Sequence, residues 1–146
     1  MTSALRTAYR YWTAAVFLAV LVQVGAAGYG AFYADSKADK TNALTHKAFD
    51  HGFGLHSALG YVLLIASVLL FVFALGGRLG RRSVLRALAL PILVLVAIAL
   101  AVAGGKHPVV GIFHPVVAFL VVGLAGFLAH SAWSPRGAAS ASSTAA

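Results

Sequence analysis

The segment from Lys106 to Val117 contains one tetrapeptide twice, because His-Pro-Val-Val begins at His107 and again at His114. Imidazole is the commonest metal ligand among side chains and changes its charge near neutral pH. A proline after each histidine indicates a helix start or a kink. Two such groups in an apolar chain therefore suggest a metal site or a proton site, and their positions depend on the helices that carry them.

The composition indicates a membrane protein. The chain has 146 residues, of which 61% are hydrophobic and 10% charged, and its mean hydropathy is +0.92. Crossing a bilayer as a helix takes about 20 apolar residues. Four runs meet this requirement, at residues 11–33, 49–75, 84–103 and 109–130. We therefore predict an all-α, integral membrane four-helix bundle made of two helical hairpins. It would occupy residues 1–133, and residues 134–146 would form a disordered cytoplasmic tail.

Local signals indicate where these helices begin and end. Gly76 and Gly77 end the second run, and Ser83 can cap the third helix. Pro108 suits the first turn of the fourth helix. An alternative for the first run is a cleaved signal peptide, because Arg6 and Arg10 precede it. Its length and the lack of a clear cleavage site before Asp35 favour a membrane helix.

The basic residues predict the orientation of the chain. The net charge is +8, but the basic residues flank apolar runs, so membrane topology explains them and nucleic acid is not an expected partner. At the helix ends on one side of the membrane the charged residues are all arginines: Arg6, Arg10, Arg78, Arg81, Arg82, Arg86 and Arg136. The ends on the other side carry all four lysines and all three aspartates. We therefore expect a multi-pass protein of the cytoplasmic membrane with both termini in the cytoplasm.

The histidines differ in their expected depth. His56 and His114 lie several residues into the second and fourth helices, each about 10 Å below the outer boundary. His51 and His107 form a shallower pair near the outer rim, and His130 lies alone at the inner end. Ionisable residues within membrane helices are costly and usually functional. The deep pair is therefore the main candidate site.

The two deep histidines share a local sequence pattern. Each has a small residue four positions later, Gly60 after His56 and Ala118 after His114, and an aromatic residue follows. Residues four apart lie on the same helix face, so each histidine has an open slot beside it. This repeat between the hairpins suggests a flat macrocycle in the slot, with its iron held by His56 and His114 across the bundle diagonal.

The remaining small residues and the rim complete this hypothesis. Walls for the slot would come from the first and third helices, which offer Gly25, Ala26, Ala27, Gly28, Gly30, Ala97, Ala99, Ala101 and Ala103. At the rim, His107 could contact a haem propionate together with His51 or Lys106. A zinc site from His46, Asp50, His51 and His107 is an alternative with suitable ligand types but unspecific spacing. The chain has no cysteine, so thiolate metal sites are excluded.

These motifs resemble known membrane proteins. The layout, with a ligand-type histidine in the second and fourth helices, resembles one half of haem A synthase. His56-x-x-Leu59-Gly60-Tyr61 and Phe113-His114-Pro-Val, with Gln23 and Gly28-Tyr-Gly30 in the first helix, resemble a family of small bacterial four-helix membrane proteins. Both resemblances cover roughly residues 10–130. They imply that His56 and His114 are the axial ligands of a haem.

One departure limits what the resemblance implies. Haem A synthases carry a glutamate one turn before the histidine of the second helix, whereas this chain has Phe53 there and no glutamate at all. That favours a protein that holds haem b without being an enzyme by itself. The expected function is electron transfer or haem handling near the outer leaflet, with a redox partner or a larger membrane complex. The alternative is a non-redox accessory or transport-related protein with structural histidines.

Overall fold

The computed structural model describes residues 2–38 and 45–134, and within these ranges it is entirely α-helical apart from short connections. Its helices are α1 (Thr2–Ser36), α2 (His46–Gly76), α3 (Arg81–Gly104), α4 (Pro108–Gly111) and α5 (Phe113–Trp133). Helices α4 and α5 together form the fourth spanning segment, Pro108–Trp133. All four segments are long and apolar enough to cross a membrane. The predicted integral membrane four-helix bundle is confirmed. The predicted disordered tail lies outside the described residues from position 135 onward.

The helices pack in the order in which they follow one another. Helix α1 packs against α2, α2 against α3, α3 against α5, and α5 against α1. This cyclic arrangement gives two antiparallel hairpins, α1–α2 and α3–α5, and leaves α2 and α5 on a diagonal. The diagonal placement predicted for the two histidine-bearing helices is therefore confirmed.

Buried positions recur in the two hairpins. On α2, Leu63, Ser67 and Leu70 are buried, and on α5 the buried residues at the same spacing are Val121, Ala125 and Leu128. Helices α1 and α3 correspond in the same way, with Thr13, Val16 and Val20 matching Ala87, Leu90 and Val94. The hairpins are therefore quasi-equivalent around the bundle core, as the repeated histidine motif suggests.

Helix boundaries extend beyond the apolar runs at every end. Backbone hydrogen bonding continues into polar turns, which hydropathy alone does not reveal. The predicted cap at Ser83 is wrong, because α3 begins at Arg81 with Gly80 as its N-cap. Helix α2 runs through Gly76 and closes at Arg78, whose φ is 50°. There the N–H of Leu79 donates to the carbonyl of Ala74, as expected of a Schellman closure.

Both prolines of the repeated tetrapeptide lie in first turns. Pro108 opens α4 after the N-cap His107, as predicted. The helical hydrogen bonding of the fourth segment is then interrupted at Ile112, where the backbone stays helical (φ −59°, ψ −31°), and Pro115 is the third residue of α5. A proline in the first turn of a helix loses no helical hydrogen bond, because N–H groups there have no intrahelical acceptor. The second proline therefore lies where helical hydrogen bonding is interrupted, immediately beside His114.

The two ends of the bundle differ in chemistry. At one end, Arg6 Nε donates to the carbonyl of Gly77 and Trp133 Nε1 donates to that of Arg10. We call this the arginine end, with Arg6, Arg10, Arg78, Arg81, Arg82 and Arg86. The opposite end is the histidine end, with His46, His51, His107, Lys37, Lys47 and Lys106.

Candidate functional site: a histidine pair across the bundle

His56 and His114 meet across the diagonal of the bundle. His56 lies within the continuous helix α2, and His114 is the second residue of α5, just after the interruption at Ile112. Their ring centroids are 6.1 Å apart and the ring planes lie at 82°. Both side chains are only partly exposed. The structure therefore brings together the two histidines that depth and sequence context single out.

Each histidine is oriented by a backbone carbonyl of its own hairpin. Nδ1 of His56 donates to the carbonyl of Gln23 on α1 at 3.2 Å. Nδ1 of His114 donates to the carbonyl of Ala97 on α3 at 2.8 Å. Because a carbonyl only accepts, these bonds require the proton on Nδ1, and a neutral ring then keeps its lone pair on Nε2. In metal-ligating histidines, a hydrogen bond of this kind from the nitrogen that does not bind the metal orients the ring.

Gln23 makes the two halves of the site unequal. Its Nε2 donates to the carbonyl of His56 at 2.8 Å, so Gln23 and His56 are joined by two hydrogen bonds. The corresponding residue beside His114 is Ala97, which has no such side chain. The Oε1 atom of Gln23 is buried without a partner among the described residues. A water or an occupant of the site with a donor group would find an acceptor there.

A cavity of about 420 Å³ separates the helices at the depth of the histidines. Both histidines line it, and so do Gly60 and Ala118, the small residues predicted to open a slot. Neither Nε2 has a hydrogen-bond partner within the described chain, and neither is among its buried unpaired atoms. The free nitrogens are therefore accessible, and the space that they border is this cavity.

The ring separation fits a metal ion between the two nitrogens. Metal–nitrogen bonds of about 2 Å, with ring centroids about 1.2 Å behind Nε2, place the centroids about 6.4 Å apart when the nitrogens and the metal are in line. The observed 6.1 Å also suits an edge-to-face contact of two rings. The separation is thus compatible with a ligand site and with simple ring packing.

The described residues contain no group of three or more histidine or acidic side chains that could hold a metal ion. The set His46, Asp50, His51 and His107 is thus not assembled into the zinc site considered from sequence. A metal at the histidine pair would have two protein ligands and would need the others from a cofactor. A macrocycle with an iron at its centre supplies four.

Close glycine contacts draw each hairpin together on the histidine-end side of the site. A Cβ built on Gly52 would lie 2.8 Å from the carbonyl oxygen of Gly30, so α1 and α2 touch there. A Cβ built on Gly104 would lie 2.6 Å from the Cα of Gly111, so α3 and α4 touch in the same way. Each contact lies one turn or less before a histidine in sequence. The glycines therefore fix the distance between the paired helices next to each histidine.

The predicted walls are only partly correct. Ala27, Ala97 and Ala101 line the cavity. Gly25 and Gly28 face open space, and Gly30 serves the helix contact instead. Which small residues of α1 line the cavity depends on how α1 is rotated about its axis. The sequence does not indicate this rotation, because nearly every face of α1 is apolar.

The rim histidines lie apart from the cavity. The His51 ring packs against Tyr33, with centroids 5.0 Å apart. His107 is exposed at the start of α4, and His130 is exposed in the last turn of α5. Neither His51 nor His107 lines the cavity. Their contact with a haem propionate stays a prediction.

Sequence reasoning missed three polar lining residues. Gln23 was expected to form a hydrogen bond between helices, which is confirmed, but not to border the site. Ser57 and Tyr61 also line the cavity. The available signal was the position of these polar groups inside apolar runs.

Comparisons with protein families, with curated proteins and with solved structures found no match to this chain.

Proposed function

We propose that this integral membrane protein binds one b-type haem between His56 and His114 and serves electron transfer or haem handling. The observation that carries the proposal is the paired geometry of the site. Two histidines from diagonal helices have Nδ1 bonded to carbonyls, Nε2 accessible and ring centroids 6.1 Å apart beside a shared cavity. The resemblance to one half of haem A synthase supports the same ligands.

The residues of the chain would hold and orient the group. His56 and His114 would hold it through Nε2, and the carbonyls of Gln23 and Ala97 would fix their tautomers. Gly60 and Ala118 would leave room beside the ligands. A bound haem supplies a one-electron iron couple. Because Phe53 stands where haem A synthases have a glutamate, we do not propose the oxidative chemistry of that family.

A non-redox protein is the competing function. In that case each Nδ1–carbonyl bond would only join two helices of a hairpin, as polar groups often do in membranes. Colour separates the two functions. Protein purified from haem-replete cells should show a Soret band and the spectrum of a six-coordinate, low-spin haem. A colourless protein from such cells would contradict the haem proposal.

Alanine variants test the ligand assignment. His56→Ala and His114→Ala should each give five-coordinate iron or loss of haem, because each removes one of the two protein ligands. His130→Ala is the matched control at the opposite end of α5 and should leave the spectrum unchanged. His51→Ala and His107→Ala should keep the low-spin spectrum. Loss of that spectrum in His107→Ala but not in His114→Ala would show that the first tetrapeptide carries the ligand.

A further inference from the structure

Two hydroxyl groups on α2 lack hydrogen-bond partners at a depth where a bilayer offers none. Ser57 and Tyr61 are one turn apart, and both are exposed on the bundle surface. Neither hydroxyl has a partner among the described residues, whereas Thr13, Ser67 and Ser131 each bond a carbonyl of their own helix. In hydrocarbon, an unpaired polar group costs free energy. The pair therefore needs an explanation.

The depth of Tyr61 is unusual for a tyrosine that faces lipid. It lies ten residues along α2 from His51, about 15 Å at the helical rise, and still farther from Arg78. Lipid-facing tyrosines normally lie at the membrane–water interface, where the hydroxyl reaches water or headgroups. The ester carbonyls of phospholipids lie at that same boundary. A partner for the Tyr61 hydroxyl must therefore be a polar group that enters the hydrocarbon region.

The two hydroxyls border an opening that leads to the histidine pair. Tyr61 is 57% exposed, yet it also lines the central cavity. The cavity thus reaches the bundle surface, where lipid would lie. Ser57 and Tyr61 are the hydrogen-bond donors at this opening, and the corresponding residues of the second hairpin, Pro115 and Phe119, have none. We call this opening, lined by Ser57 and Tyr61, the lateral window.

We propose that the lateral window binds the ring of a lipid-soluble quinone, with Tyr61, assisted by Ser57, donating a hydrogen bond to a quinone carbonyl. A quinone ring is flat and apolar, partitions into the bilayer, and brings carbonyl acceptors to the depth of Tyr61. The Tyr61 ring at the window suits a flat ring, and the hydroxyls suit its oxygens. Electron exchange between the quinone and the site rests on the proposed haem function. The binding of the quinone does not rest on it.

Binding can be measured with decylubiquinone on the full-length protein in phosphatidylcholine nanodiscs. A ligand of the folded state raises the unfolding temperature with increasing concentration, and that dependence gives its affinity. We expect Tyr61→Phe, which removes only the hydroxyl, to weaken binding about fivefold to tenfold, the size of one hydrogen bond. Ser57→Ala should cause a smaller loss. Tyr29→Phe is the matched control, because Tyr29 is 53% exposed but does not line the cavity.

Several results would overturn the proposal. They are no stabilisation of the unmodified protein, equal affinity in Tyr61→Phe, or an equal loss in Tyr29→Phe, which would indicate nonspecific partitioning. So would a photoreactive azidoquinone that labels residues away from the window. The Soret band is recorded on the same samples. A colourless protein with Tyr61-dependent binding would contradict the haem function alone, and a coloured one without quinone binding would contradict this proposal alone.

Discussion

A histidine inside a membrane bundle has two ring nitrogens to satisfy, and His56 and His114 solve this in the same way. Each commits Nδ1 to a carbonyl across its own hairpin and leaves Nε2 toward shared space. The arrangement fixes the tautomer of each ring and the side on which its lone pair lies. Two such rings facing one cavity fit the ligand of the proposed function.

Gln23 should matter for holding His56 in place rather than for coordination. Gln23→Leu removes the amide that donates to the His56 carbonyl but keeps the backbone carbonyl that accepts from Nδ1. We expect the free energy of unfolding to fall by about 1 kcal/mol and haem to be retained less firmly, with the low-spin spectrum unchanged. Thermal unfolding and the Soret band measure both effects.

The control for Gln23 is Val22→Ala, a truncation on the outward-facing side of the same helix turn, where Val22 is 57% exposed. It should change neither the spectrum nor the retention of haem. Loss of the low-spin spectrum in Gln23→Leu would contradict a purely positioning role. Identical stability of Gln23→Leu and the unmodified protein would show that the side-chain bond has no net effect.

The candidate site could be predicted from sequence only for residues whose type stands out in an apolar run. His56 and His114 meet that condition, and their small neighbours Gly60 and Ala118 follow from helical spacing. The carbonyls of Gln23 and Ala97 could not be predicted, because they depend on how α1 and α3 rotate about their axes. A helix that is apolar on nearly every face gives no sequence signal for that rotation.

At the scale of elements, glycine contacts set the spacing within each hairpin. Helices approach closely in membranes where small residues let their backbones meet. Here Gly30 meets Gly52 in one hairpin and Gly104 meets Gly111 in the other, each beside a histidine-bearing segment. The distance between paired helices at the site is therefore fixed by backbone contact, and larger side chains there would change it.

Gly52→Val should disrupt the first hairpin. Its Cβ would lie 2.8 Å from the Gly30 carbonyl oxygen and 3.2 Å from the Tyr33 ring, so the helices must separate. We expect a loss of about 1–3 kcal/mol in the free energy of unfolding, together with loss of haem. Gly54→Val is the control on the same helix, because a Cβ there meets nothing within 4 Å.

The two valine variants carry the same helix propensity, so their difference in thermal unfolding isolates the contact between α1 and α2. Equal stability of Gly52→Val and Gly54→Val would mean that the hairpin opens without cost. In that case the glycine contact would not control the site.

The number, order and antiparallel pairing of the helices could be predicted from apolar runs and short connections, because a bilayer demands long apolar helices. Their ends could not. Helix α1 begins well before Tyr11, and α3 begins at Arg81 instead of at a capping serine. The interruption at Ile112 agrees with the helix start or kink that the proline after His114 indicates.

At the scale of the whole molecule, a quasi-symmetric core supports chemically different ends. Buried residues correspond between the hairpins, but charge does not. In the described ranges, six arginines and no acidic residue lie at the arginine end, whereas Asp35 and Asp50 lie at the histidine end with three lysines. Excess basic charge near short loops is retained in the cytoplasm. The fold thus combines a near-symmetric site with a charge asymmetry that predicts one direction across the membrane.

Orientation is testable because the chain has no cysteine, so each introduced cysteine is the only labelling site. Ser36→Cys and Ser83→Cys are matched substitutions at opposite ends, one at the end of α1 and one in the first turn of α3. In intact cells, a membrane-impermeant maleimide should label Ser36→Cys at once and Ser83→Cys only after permeabilisation. The physical reason is the arginine cluster at residues 78–86, which resists translocation. Labelling of Ser83→Cys in intact cells would show that the orientation is the reverse of the expected one. The histidine pair would then lie nearer the cytoplasmic face.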